Sequence, residues 1–189
     1  MHSTVLTPAA EGTDDNRGMP FEDSVKKAFG LQGEAWLRHA NPWSLYTRIP
    51  IPALLVVAVW SRQWIGWWCL VAVGVVVVWT FVNPRAFPPP RSLDHWASRG
   101  VLGEKYWGTR RERPIPANQR VAPWVLTAIN AAGVPFVVSG LVVYDPWLTL
   151  FGLAVHMTGK IWFIDRMALL YDAMAKADVS SSESPPPAG

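Results

Sequence analysis

The sequence predicts an all-α, polytopic membrane protein with four transmembrane helices, arranged as two hairpins joined by a basic cytoplasmic loop. Three observations predict it. Half of the 189 residues are hydrophobic and only 16% are charged, a balance far from that of a water-soluble domain. The apolar residues are gathered into runs: Ile65 to Val82 holds no charged residue, whereas both ends of the chain are polar. A chain this short has no amphipathic material with which to surround several helices that are apolar on every side, so the runs need lipid.

Residues 1–20 are polar, partly acidic and rich in small residues, which predicts a disordered tail without the basic-then-apolar pattern of a secretory signal. Insertion is then expected to be directed by the first span. Over residues 21–40, Phe21, Val25, Ala28, Phe29 and Trp36 recur at helical spacing, which fits an amphipathic helix at the membrane surface or a frayed approach to the first span. The transmembrane domain covers residues 41–172. Asn41-Pro42-Trp43 is a helix start: Asn accepts from the first free amides, Pro suits the first turn, and Trp favours the membrane interface.

The first span, 43–61, carries Arg48, Pro50 and Pro52. Each proline removes an amide and leaves a carbonyl one turn earlier, at Tyr46 and Arg48, without its usual donor. A kinked helix is expected, with Arg48 reaching the cytoplasmic interface. The turn Ser61-Arg62-Gln63 leads to the second span, 64–82, closed by Asn83-Pro84. The third and fourth spans, 121–143 and 147–169, are separated by Tyr144-Asp145-Pro146. Residues 173–189 read as a second disordered tail.

Orientation follows from charge. The connector, 83–120, holds eight basic and three acidic residues, while the two opposite turns hold only Arg62 and Asp145. The positive-inside rule places the connector in the cytoplasm, and an even number of spans places both termini there. Trp64 and Trp79 lie fifteen residues apart, as do Trp147 and Trp162, which hints at a weak parallel repeat of the two hairpins.

Polar residues inside lipid are costly, so they mark where function is sought first. The second hairpin concentrates them. At about 1.5 Å per residue, Asn130 and His156 reach matching depth near the midplane, with Thr127 and Lys160 level about one turn nearer the cytoplasm. Asn130, His156, Lys160 and Thr127 are therefore one candidate ligand site; interhelical hydrogen bonding is the alternative, with Ala128, Ala132 and Gly133 allowing close approach. No metal or cofactor is expected, because His39, His95 and His156 lie far apart in the sequence. Cys69 sits among apolar neighbours and reads as a packing residue. The connector interleaves Trp96, Tyr106 and Trp107 with Arg99, Lys105, Arg110, Arg111 and Arg113, which suits anionic lipid headgroups; the same composition could bind RNA, but a loop tethered between two spans meets lipid phosphate first, so no nucleic acid is expected.

The run His39-Ala40-Asn41-Pro42-Trp43-Ser44, then Thr47-Arg48, Asn83-Pro84-Arg85 with Phe87-Pro88, Trp96 with Arg99-Gly100-Val101-Leu102-Gly103-Glu104, and Lys160-Ile161-Trp162-Phe163 with Asp165-Arg166 resembles an uncharacterised family of small prokaryotic membrane proteins. The resemblance covers roughly residues 34 to 172. It implies the topology and adds no chemistry. It also implies that His39, Arg48, Arg85, Arg99, Glu104, Asp165 and Arg166 gather near the cytoplasmic interface, where a water-accessible cup rivals the midplane site.

The leading functional expectation is non-enzymatic: an inner-membrane protein that binds or conducts a small solute or lipid headgroup, as a homodimer because four spans enclose little space. One rival is a membrane enzyme acting on a lipid or isoprenoid substrate, with His39, Glu104 and Asp165 as acid and base and arginines holding phosphate. A third is an accessory subunit of a membrane complex.

Overall fold

The computed structural model describes residues 37–183, and every regular element among them is helical. The expected tail 1–20 and residues 21–36 of the expected interfacial segment lie outside the described residues, as do residues 184–189. The helices used below are α1 (Pro42–Arg48), α2 (Ile51–Trp60), α3 (Cys69–Ala86), α4 (Trp96–Gly108), α5 (Ala122–Val143) and α6 (Pro146–Glu183).

Asn41 begins α1 as its residue type suggests, its side-chain oxygen accepting from the Trp43 amide at 2.9 Å. The proline pair then breaks the helix outright: α1 ends at Arg48, and α2 begins at Ile51 after Pro50. Beyond Trp60 the chain turns through a single helical turn, Arg62–Ile65, and a 3-10 turn, Gly66–Trp68. Gly66 has φ +57°, a conformation that side chains disfavour. α3 packs against α2, and the motif residues tie it to α1. Fully buried Ser44 donates to Asn83 Oδ1 at 2.9 Å, and Asn83 donates from Nδ2 to Thr47 Oγ1 at 2.6 Å. Asn41 Nδ2 donates to the Pro88 carbonyl at 2.8 Å, anchoring the start of the connector to the same corner.

α5 and α6 form the tightest pair, because glycines replace side chains along their shared seam. A Cβ on Gly159 would stand 2.5 Å from the Asn130 nitrogen, and one on Gly133 would stand 2.5 Å from both the Gly152 carbonyl oxygen and the His156 nitrogen. Asp145 caps α6 by accepting from the Trp147 and Leu148 amides at 2.9 and 3.0 Å, with Pro146 in the first turn. At the same end, Arg62 donates to the Leu141 carbonyl at 3.1 Å and lies 4.5 Å over the Tyr144 ring. The two Trp pairs spaced fifteen apart sit on differently built elements: Trp64 and Trp79 straddle the Gly66 turn, whereas Trp147 and Trp162 lie on one continuous helix.

Besides the outright break at the prolines and the start of α3 at Cys69 instead of Trp64, two larger features depart from the sequence expectation. The connector contains a 13-residue helix, α4, and α6 continues to Glu183, past the residue where a tail was expected to begin. Each explains the other. The 38 residues of α6 would extend about 57 Å, well beyond an about 30 Å hydrocarbon core, and α4 covers the apolar face of the surplus. Val101, Leu102 and Tyr106 of α4 pack with Ile164, Met167 and Leu170 of α6 in the main buried cluster, joined by Leu45 and Ile115. Gly103 permits this contact, since a Cβ there would collide with the Met167 carbonyl. Residues read from sequence as facing lipid headgroups are therefore partly turned inward: Trp96 Nε1 donates to Asp165 Oδ1 at 3.2 Å, and Arg99 pairs with Asp172 at 3.0 Å.

Three stretches of the described helices, Pro42–Asn83, Ala117–Val143 and Pro146–Ser180, are long and apolar enough to cross a membrane. Their large side chains face outward: Phe81, Val75 and Trp147 are 70%, 64% and 79% exposed. Water does not tolerate so continuous an apolar surface, and lipid does.

Candidate functional site

The end of the molecule where α4 meets α1, α5 and α6 holds a cavity of about 250 Å³. Each helix supplies one polar wall: Arg48 from α1, Glu104 from α4, Thr127 and Asn130 from α5, and Lys160 from α6. Leu45, Leu126, Phe163 and Ile164 complete it with apolar surface. The placements have local causes. Arg48 is the last residue of α1 because of the prolines, so its side chain leaves the helix end toward α4. Glu104 follows Gly103, whose missing side chain brings α4 close to α6. Lys160 follows Gly159, which brings α6 close to α5.

Arg48 is held from behind. Its Nε donates to the Ser44 carbonyl at 3.0 Å, and its Nη1 lies 2.5 Å from His39 Nε2 and 3.2 Å from Nδ1. A guanidinium only donates, so the imidazole accepts and must be neutral. Burial, reinforced by the charge of Arg48, holds the His39 pKa down at about 4, in keeping with that role. Burial pushes the Glu104 carboxyl above the usual carboxylate range, while the charges of Arg48 and Lys160 pull it the other way and do not prevail. Among the described residues neither Glu104 nor Lys160 closes to a hydrogen bond or to an ion pair within 4 Å. The cavity thus holds two cationic side chains and one carboxyl around open space.

The two groups of candidates read from sequence are partly merged and partly dispersed. Lys160, Asn130 and Thr127 from the midplane group share the cavity with Arg48 and Glu104 from the cup. Thr127 also donates to the Pro123 carbonyl at 2.8 Å. His156 does not line this cavity. Its Nδ1 donates to the Asn130 carbonyl at 3.1 Å while Asn130 Nδ2 donates to the His156 carbonyl at 2.9 Å, a reciprocal pair that joins α5 to α6. Asp165 and Arg99 are engaged with Trp96 and Asp172, and Arg85 is exposed, donating to the Phe81 carbonyl at 3.3 Å. Arg166 lies partly buried on α6 outside the lining. Of His39, Glu104 and Asp165, the acid and base set of the enzyme reading, only Glu104 lines the cavity; His39 lies behind Arg48 and Asp165 accepts from Trp96. Among the described residues no group of three or more His, Cys, Asp or Glu side chains could hold a metal ion.

The sequence assigns Arg48 and Lys160 to rival sites, although a count of depth joins them. From the turns at Trp60 and Pro146, Arg48 lies about 18 Å along its span and Lys160 about 21 Å along its own. Ser44, Thr47 and Asn83 were visible only as motif residues; their hydrogen bonds identify them as the frame that fixes Arg48.

Much of this frame coincides with the motif residues, which makes membership of a family the natural comparison. A family model described as a family of unknown function, DUF6653, matches residues 20–187. The chain belongs to this family. No curated protein and no solved structure matches it. Membership of DUF6653 agrees with the resemblance drawn from the motifs and assigns no activity, so the chemistry rests on the cavity.

Proposed function

We propose that this chain is a multi-pass protein of the cytoplasmic membrane that binds a small anionic group, a phosphate or carboxylate borne by a solute or a lipid headgroup, between Arg48 and Lys160. The observation that carries the reading is the charge balance of the cavity. Two basic side chains face a single carboxyl around open space, an excess of basic groups held largely out of water. An anion in the open space offsets that charge, and Arg48 presents the planar donor fork suited to phosphate or carboxylate.

The four-span topology belongs to the same reading. It is supported by the return of α3 along α2, by the Ser44, Thr47 and Asn83 bonds at one end, and by the Arg62 contacts to Leu141 and Tyr144 at the other. Counted so, Pro42–Asn83 crosses twice. The basic connector then faces the cytoplasm with both termini, and the cavity opens at that side.

Thermal unfolding of the purified full chain in detergent, titrated with inorganic phosphate, tests the anion site. Binding to the folded state alone raises the melting temperature with concentration. We expect that rise in the wild type and its loss in R48Q and K160Q. A wild-type melting temperature indifferent to phosphate, at an ionic strength held constant with chloride, overturns the reading.

A further inference from the structure

The faces that form the cavity do not stop at its floor. Along α1 and α2 Arg48 is followed by Pro52, Val56 and Val59; along α5 Asn130 is followed by Val134, Val137 and Leu141; along α6 Lys160 is preceded by His156 and Leu153. Within α2, α5 and α6 steps of three and four keep each series on one helix face, and α2 takes over beyond the break where α1 ends at Arg48. These residues line a second cavity of about 280 Å³ between α2 and the α5/α6 pair, and Val56 also lines a third, of about 230 Å³, that runs on toward Trp60 and Trp64. The polar cavity and the apolar groove follow one another along α5 and α6, with α1 giving way to α2 on the facing side.

We infer that the ligand of the Arg48–Lys160 cavity is an anionic amphiphile, its charged head between the two cations and its hydrocarbon chain lying in the groove between α2 and α5. The inference rests on the anion reading above and narrows it from any small anion to one that carries a chain. The boundary between the two regions is sharp. Asn130 and His156 satisfy each other's backbone carbonyls, so these two polar side chains at the junction are already engaged, and the described residues lining the groove beyond them are aliphatic. From Asn130 to Leu141 the groove wall runs about 16 Å at about 1.5 Å per residue, the depth of one leaflet in an about 30 Å core. Val56, Val59, Val134 and Val137 present short side chains to the groove and leave open a space that larger residues would fill. A chain seated there supplies the dispersion contacts that an empty groove forfeits. A water-soluble anion explains the cations but leaves the groove without a role.

Three probes separate the possibilities, each titrated into the full chain in a fixed excess of one detergent and followed by thermal unfolding and native mass spectrometry. They are inorganic phosphate, a single-chain lysophospholipid with a phosphate head, and a lysophospholipid with the same chain and a zwitterionic head. The phosphate-headed lipid should bind at least about tenfold more tightly than either of the others, a difference of about 1.4 kcal/mol. V137W, which fills the groove, should abolish that preference while leaving the response to phosphate intact, whereas K160Q should weaken both. V59F provides a second block, nearer the far end of the groove, should V137W fail to reach a wild-type melting transition. Equal affinity for phosphate and the phosphate-headed lipid, or an undiminished lipid preference in a folded groove-blocked variant, overturns the amphiphile while the anion site stands. Failure of every probe to bind removes the anion site as well.

Discussion

Arg48 and Glu104 show how much of a residue's role is decided by its partners. As a letter in a span, Arg48 reads as an anchor reaching for the interface; in the structure it is gripped by the Ser44 carbonyl and the His39 ring and points into a cavity. The two titrating groups around it respond to pH in opposite senses. His39 is held neutral, so its contribution to stability is complete above its ordinary pKa of 6.5 and is lost as pH falls toward about 4. Glu104 is driven toward protonation, so its contribution is complete below 4.5 and is lost as pH rises through its elevated pKa. E104Q should therefore be more stable than the wild type at neutral pH and should lose stability more steeply on acidification, since only the His39 response remains. Melting temperatures of both proteins across pH 4 to 8 check this, and parallel profiles would show that the Glu104 carboxyl is not desolvated.

At the scale of elements, glycine placement governs which helices touch. Gly159 and Gly103 are the contact points of α6 with α5 and of α4 with α6, where an added Cβ meets backbone that cannot move aside. G159A and G103A should each cost about 1–3 kcal/mol through overpacking. Gly74 has open space around it on α3, so G74A should be neutral or stabilising by about 0.5–1 kcal/mol from helix propensity alone. Equilibrium unfolding in mixed detergent measures all three, and equal losses would mean that the seams tolerate an added methyl group. The prolines act at this scale too. Their position in the sequence announces a kink, but the extent of the break, which frees Arg48 from the helix, depends on how α1 docks against Asn83 and Pro88.

For the whole molecule, the decisive question is whether the chain crosses the membrane four times with its basic connector inside. Alkaline phosphatase fused at Arg62 or Asp145, which the Arg62–Leu141 bond holds at one end, should be active, and fusions at Arg111 or Ala175 should be inactive. The reverse pattern would invert the protein. An active fusion at Arg111 beside an inactive one at Arg62 would place the cavity on the opposite face.

By itself the sequence determined that the chain is helical and rich in runs apolar enough for lipid, that Asn41 starts a helix and the Pro50–Pro52 pair disturbs one, and which residues are costly enough to be functional candidates. Those properties are local: they depend on hydropathy over about twenty residues, on proline and asparagine chemistry, and on charge counts in loops. Only the tertiary structure decided that α4 folds over the surplus length of α6, and it did so through glycines whose value is invisible until a partner backbone arrives. Glu104 lies fifty-six residues from Arg48 and from Lys160 alike, and no period or spacing connects the three. They meet because two helix seams, each admitting only glycine, bring separate elements to one point, and the charge in that cavity is a property of the meeting.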